Sequence, residues 1–287
     1  VTGVQTCALP IYIAIRSIVD AQEPFVAGQL RFFVNEWAKI TSDYYILQCV
    51  SSCPLEFHTE PFCLPRGVTR ESKFSPEQKL NIDNEIKSFL AKPVVEPSVS
   101  EPNEVISPIF VTPKKDPKQF RVIFNLKALN HFVAYHKFKM ETVKSAIKLM
   151  SKCCYMSSID LRDAYYSIPI APEFRKYLKF IWREQMFQFT ALPMGLSSSP
   201  RLFTEVLKPV FATLRCQFRY SCLGYIDDSF YTEDNFHRCE EATLHAVELF
   251  IKLGFVVHPT KTVLQPNQSL EFLGFVLYSI MMRVTIT

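Results

Sequence analysis

Glycine is scarce in this chain, with seven among 287 residues where about 7% is usual. None of the seven falls in a G-x-G-x-x-G or P-loop pattern, and no H-E-x-x-H occurs. Rossmann dinucleotide enzymes, P-loop nucleotide hydrolases and the commonest zinc hydrolases are thereby excluded. No apolar run approaches the ~18 residues that span a bilayer; the longest, Phe272 to Met282, is broken by Gly274 and Ser279. No membrane partner is expected. The nine cysteines are odd in number and scattered, and no signal peptide is visible. That usage suits an intracellular, reducing setting, cytoplasm or nucleus, better than a disulfide framework.

What is present is globular in profile, 48% hydrophobic and 21% charged. The net charge of +4 hides an asymmetry, because Ile109–Arg183 carries 15 Lys and Arg against 5 Asp and Glu. Such a block reads either as a solvated lysine-rich face or as a surface for phosphates.

The chain opens on Val rather than Met and reads as a fragment. Val1–Ile11 resembles a translated sequencing adapter and is set aside. Residues 12–74 read as an N-terminal extension with one helix near Val34–Val50. Ser75-Pro76-Glu77-Gln78 then supplies a capping serine, a proline at the first helical position and a Gln three residues after the cap. The spacing of Leu80, Ile82, Ile86, Phe89 and Leu90 predicts a helix up to Pro93. Val105–Val111 and Phe120–Phe124 flank a charged hairpin tip at Lys114–Lys118. A helix near Met140–Met150, a strand at Tyr155–Ile159 and an aromatic hairpin at 177–190 follow. A helix opening at Ser199-Pro200 should kink at Pro209. A strand–turn–strand over Phe218–Tyr231, a helix over Phe236–Leu253 closed by Gly254, and short strands at Phe255–His258 and Leu270–Tyr278 complete the reading. From 155 onward this order approaches a split β-α-β pattern, an antiparallel sheet with helices on one face.

Two adjacent acids, Asp227 and Asp228, lie in the apolar run Tyr225–Phe230. Desolvation and mutual repulsion both oppose their ionisation there, unless a turn exposes them. Asp160 ends a second apolar strand, and if the strands neighbour one another, Asp160 and Asp227 face each other across them. Three carboxylates at one sheet edge make a hard-oxygen site suited to Mg²⁺, with Mn²⁺ as a substitute, and a pair of such ions can drive nucleotidyl transfer.

Several motifs occur in order: Lys114-Lys115 through Phe120-Arg121-Val122 to Leu129-Asn130; Asp160-Leu161-Arg162-Asp163-Ala164-Tyr165; Leu192-Pro193-Met194-Gly195-Leu196-Ser197-Ser198-Ser199-Pro200; Tyr225-Ile226-Asp227-Asp228; Gly254 to Lys261; and Phe272-Leu273-Gly274-Phe275. Together, over residues 75–278, they resemble the fingers and palm of reverse transcriptases, most of all those of DIRS-type tyrosine-recombinase retrotransposons. The resemblance implies an α+β right-hand polymerase fold. Its fingers would span 75–154 and its palm 155–278, with a fingers insertion near 172–195. Residues 279–287 would begin a connection to an absent thumb.

It also implies an RNA-directed DNA polymerase acting on an RNA template, a DNA primer and dNTPs by two-metal chemistry. Asp160, Asp227 and Asp228 would hold the metals, with the Leu161 carbonyl as a further ligand. Lys114, Lys115 and Arg121 would grip the triphosphate, joined by the amides of Asp163 and Ala164. Tyr165 would exclude a ribose 2′-hydroxyl, Met194 and Gly195 would line the nucleotide pocket, and Lys261 would stand near the leaving group. Phe272, Leu273 and Gly274 would support the primer. Met194 stands where many relatives carry Gln, and Asn125 and Lys127 where many carry Asp and Arg; no site role is given to those two. Thumb, ribonuclease H and recombinase segments of a parent polyprotein would be partners. The rival reading is a decayed remnant that binds template–primer without polymerising. Cys49, Cys53, His58 and Cys63 lie one residue off a zinc-knuckle spacing and lack its glycines, so they are not read as a zinc site.

Overall fold

The computed structural model describes residues 11–61, 67, 69–114 and 119–287. It is α+β, with antiparallel sheets and helices, and its contacts divide into two units. The units do not follow chain order: residues 11–24, 139–162 and 207–287 make one, and the described residues of 25–138 and 163–206 the other.

The first unit is built on a four-stranded sheet. Its strands are β4 (Tyr155–Asp160), β7 (Ser221–Tyr225), β8 (Asp228–Glu233) and β9 (Val263–Asn267), in the order β7-β8-β4-β9. Alternation fixes its two faces. Met156, Leu223 and Phe230 point to one side, into a cluster with Ala146 and Met150 at α6 (Val143–Leu149). Leu270 and Phe272 of β10 (Ser269–Phe272) and Leu277 of β11 (Phe275–Tyr278) complete that cluster, with β12 (Arg283–Ile286) pairing on β11. The opposite face is covered by α8 (Phe236–Lys252). There the Ser157 hydroxyl meets Thr243 at 2.6 Å. The second half of α7 (Ser199–Cys216) brings Phe211 to Phe250 of α8, ring centroids 6.2 Å apart. Gly224 is required on this face, because a methyl there would collide with the Phe211 ring. Helix α1 (Ile11–Asp20) packs on α8 through buried Ile15 and Val19; the sequence reading had no helix there.

In the second unit, α4 (Pro76–Ala91) starts at the expected capping box, with the Gln78 amide donating to Ser75 Oγ at 3.2 Å and the Ser75 amide to Gln78 Oε1 at 3.0 Å. Strands β2 (Ile109–Pro113) and β3 (Phe120–Phe124) form a hairpin, and β1 (Val95–Pro97), β6 (Gln185–Phe189) and β5 (Lys179–Trp182) a sheet in that order. Phe89, Phe124, Phe180 and Phe189 pack as an aromatic core. The expected helix over Val34–Val50 is two, α2 (Val34–Trp37) and α3 (Tyr44–Ser52), because Asp43 caps a new start by accepting the Tyr45 amide at 2.9 Å. A short α5 (Lys127–Asn130) follows β3.

One further expectation is corrected. Residues 255–258 make only an isolated bridge, Leu161 with Val257, because the chain turns away at Pro259. The segment 270–278 folds as a hairpin: Leu273 and Gly274, at φ 51° and 77°, form its two-residue turn.

Candidate active site

The pairing of β4 with β8 sets Asp160 opposite Asp228, on the face that carries Met156 and Phe230 further along the same strands. Sequence reasoning paired Asp160 with Asp227 instead. Asp227 belongs to the tight turn joining β7 to β8, where Tyr225 pairs with Asp228 and leaves only Ile226 and Asp227 between them. Ile226 has φ 54°, a left-handed conformation rare for a β-branched residue and typical of strain held at functional sites. The Leu161 amide donates to the Asp227 carbonyl at 2.8 Å, tying the turn to the end of β4.

The electrostatics are unfavourable to the acids. Burial, with Asp160 adding repulsion, pushes the Asp227 carboxyl above its ordinary range. Burial and then the charges of Asp227 and Asp160 push Asp228 up to about 6. Lys261 answers them: its Nζ lies 3.3 Å from Asp160 Oδ2 and lowers both other carboxyls. Backbone bonds fix Asp160, whose amide donates to Thr262 Oγ1 at 3.2 Å and whose carbonyl accepts from the His258 amide at 2.8 Å. Among the described residues no three Asp, Glu, His or Cys side chains form a closed metal-holding group, these aspartates included. Phe272 is buried in the same unit with its ring 5.3 Å from that of Phe230, and Leu273 and Gly274 form the turn beyond it.

The second unit gathers a different set. Lys114, Arg121, Met194 and Gly195 line one cavity of about 420 Å³ whose walls include Phe89, Phe120, Phe124, Tyr166 and Phe189. Arg121 is placed by β3, opposite Thr112, and the Lys114 amide donates to the Gln119 carbonyl at 2.8 Å at the hairpin's end. Lys115 lies outside the described residues. Asp163 occupies a left-handed turn, φ 52°, before a short 3-10 helix over Ala164–Ser167. The Tyr165 ring meets Phe203 edge-on at 5.4 Å.

Two residues of this unit had no role in the sequence reading. Asn130 clamps the Gly195 loop from both sides, donating from Nδ2 to the Gly195 carbonyl at 2.9 Å and accepting the Ser197 amide at 2.8 Å. Its signal was the Leu129-Asn130 pair already noted in the motifs. Glu85 lines the cation-bearing cavity, its carboxyl pushed up by burial although Lys114 and Lys92 pull it down; nothing in helical spacing singles it out. Of the cysteine–histidine set, Cys49 and Cys53 are buried, His58 Nε2 donates to the His131 carbonyl at 2.7 Å, and Cys63 lies outside the described residues.

The Gag-Pol polyprotein of avian reticuloendotheliosis virus is 27% identical over 237 residues, covering 78% of this chain and 20% of the polyprotein. The Pol polyprotein from transposon gypsy of Drosophila melanogaster is 26% identical over 200 residues, 68% of this chain and 19% of its own length. The chain therefore spans about a fifth of these relatives. A foamy viral protease–reverse transcriptase in complex with dsDNA superposes with a TM-score of 0.67 at 18% identity, over 98% of this chain and 57% of that one, which bears on the fold. No helix among the described residues is long and apolar enough to cross a membrane. The reverse transcriptase (RNA-dependent DNA polymerase) family matches residues 112–277, more than half of the chain, and the chain belongs to that family.

Proposed function

We propose that this chain carries the nucleotidyl-transfer site of a retrotransposon RNA-directed DNA polymerase. A primer 3′-hydroxyl attacks the α-phosphorus of a dNTP on an RNA template, and pyrophosphate leaves. The observation that carries the reading is the edge of the four-stranded sheet, where Asp160, Asp227 and Asp228 share Lys261 among three carboxyls. That donor set fits hard divalent ions, because oxygen ligands are what Mg²⁺ and Mn²⁺ take and a divalent charge relieves the repulsion that raises the Asp227 and Asp228 carboxyls. Asp160, Asp227 and Asp228 would hold the ions, with the Leu161 carbonyl as a further donor. Bound there, two such ions would favour the ionised primer hydroxyl and offset the charge of the leaving group.

The rest of the work is positioning and charge. Lys114, Lys115 and Arg121 hold the triphosphate, with the Asp163 and Ala164 amides. Met194 and Gly195 shape the pocket, which Asn130 steadies from behind. The Tyr165 ring excludes the 2′-hydroxyl, Lys261 stands by the leaving group, and Phe272, Leu273 and Gly274 support the primer. Fingers over 75–154, a palm over 155–278 with a fingers insertion near 172–195, an extension over 12–74 and the start of a thumb connection at 279–287 go with this reading. Its partners are an RNA template, a DNA primer and the thumb, ribonuclease H and recombinase segments of a parent polyprotein. The solved foamy viral enzyme in complex with an RNA/DNA hybrid, 18% identical with a TM-score of 0.62, supports the hybrid as ligand. The ordered motifs over residues 75–278, which together most resemble DIRS-type enzymes, support a DIRS-type source. Seven described cysteines, all unpaired thiols, support an intracellular site.

The open disposition of the three aspartates favours a second reading, a remnant that binds template–primer without extending it. Incorporation of one dNTP decides between them. It should occur with the parent chain and vanish in Asp227→Asn; an Asp227→Asn rate equal to the parent's rejects the assignment.

A further inference from the structure

Asp163 holds a left-handed conformation, φ 52° and ψ 34°, which side chains with a Cβ adopt seldom and keep only where their surroundings enforce it. Its carboxylate meets Lys92, at the C-terminal cap of α4, whose Nζ lies 2.7 Å from Asp163 Oδ2. Both side chains are largely shielded, 29% and 22% exposed, so the pair is less screened than a surface ion pair. Lys92 is itself fixed through its backbone. Its amide donates to the Ser88 carbonyl at 3.1 Å and its carbonyl accepts the Ala27 amide at 2.9 Å.

The far side of the turn is anchored independently. Tyr166 is buried, its ring meets Phe89 of α4 at 5.4 Å, and its carbonyl accepts the Gly28 amide at 2.7 Å. Tyr165 thus sits between an ion-paired residue and a buried one. Lys92 is the member of this arrangement that can be changed without opening the aromatic core.

We propose that Lys92 is a positioning residue: its ion pair with Asp163 fixes the turn that presents Tyr165 and the 163–164 amides to the incoming nucleotide. This rests on the polymerase reading above. Lys92 acts through Asp163 and is not among the residues that line the cavity with Lys114 and Arg121. Glycine at 163 would accept the same φ without strain, yet would offer no carboxylate by which α4 could hold the turn.

The test uses the whole chain and single-nucleotide incorporation, with dNTP and the matching ribonucleotide, in Lys92→Met, Lys92→Arg, Asp163→Asn and the Lys92→Met/Asp163→Asn pair. Loss of a partly buried charged hydrogen bond should raise the KM for dNTP by about tenfold with kcat within about threefold. Discrimination against the ribonucleotide should fall alongside. Lys92→Arg should restore both, and the double variant should be no worse than either single one. A purely structural role would lower the unfolding midpoint without separating KM from kcat. Should Lys92→Met fail to fold, Lys92→Gln, which is one bond shorter and keeps a donor but no charge, is read in the same way. Parent-like KM and discrimination in the uncharged variants overturn this inference while leaving the polymerase reading standing. A parent chain that neither incorporates nor binds dNTP overturns both.

Discussion

Asp228→Asn should make the protein more stable at neutral pH while removing its activity. The Asp228 carboxyl is pushed up to about 6 from an ordinary 3.8, by burial first and then by Asp227 and Asp160. Between about pH 4 and pH 6 the folded state therefore binds more protons than the unfolded one. Stability falls as pH rises through that window, and the whole penalty is present above it. At ~1.4 kcal/mol per pKa unit the shift corresponds to about 3 kcal/mol, but the side chain is only half-buried and water screens it, leaving roughly 1 kcal/mol. For a protein of this size that is a rise of about 2–4 °C in the unfolding midpoint of Asp228→Asn at pH 7.5. The difference should be largely lost by about pH 4 and vanish only below about pH 3, where the parent carboxyl is protonated in both states. Differential scanning fluorimetry at pH 7.5 and about pH 4, with and without 10 mM-scale MgCl₂, reads it directly. Mg²⁺ should raise the midpoint of the parent at pH 7.5 by mass action and that of the variant by less. A variant less stable than the parent at pH 7.5, or a difference that does not change with pH, refutes the argument.

Three other outcomes follow from particular contacts. Lys179 is wholly buried, its ammonium donating to the Val99 carbonyl at 2.8 Å, Glu101 at 2.6 Å and Glu104 at 3.0 Å; Lys179→Met takes the cation from Glu104, which keeps the Ser100 hydroxyl and the Glu101 amide as donors, and should cost about 3 kcal/mol in urea unfolding, while a loss under ~1 kcal/mol contradicts the assignment. Gly224→Ala should destabilise the first unit by ~1–3 kcal/mol through overpacking against Phe211, and Phe211→Leu in the same chain should recover part of it; no recovery would place the clash elsewhere. Tyr165→Ala should lower discrimination against ribonucleotides by about tenfold or more and Tyr165→Phe should not, as measured by competing dNTP and ribonucleotide incorporation.

Local chemistry made much of the fold legible. The capping box at Ser75 and Gln78, the hairpins at 109–124 and 179–189, and the left-handed Gly254 after α8, with φ 90°, each follow from a few neighbouring residues. Asp160 and the Asp227-Asp228 pair were legible because acids ending apolar strands have few structural explanations. Which of the two faces Asp160 was not, since a tight turn and an adjacent ladder position differ by one residue in sequence and by a whole face in space. Helix α1 was not legible, because its buried positions are Ile15 and Val19, and two apolar positions four apart are a weak helical signal. Lys179 in an aromatic hairpin looked like ordinary alternation, and its acids lie 75 and 78 residues away. The Lys92–Asp163 pair spans 71 residues. No spacing rule reaches so far, and only the packed fold brings such charges together.

If the carboxylates at the end of β4 and the start of β8 perform the proposed nucleotidyl transfer, the chain extends a DNA primer on an RNA template in a Mg²⁺-dependent way. The parent chain should add at least one nucleotide, EDTA should abolish the addition, and Asp227→Asn should bind the same duplex in a gel shift without lengthening the primer. Duplex binding by the parent with no extension at any Mg²⁺ or Mn²⁺ concentration would contradict the proposal and leave a protein that only binds template–primer.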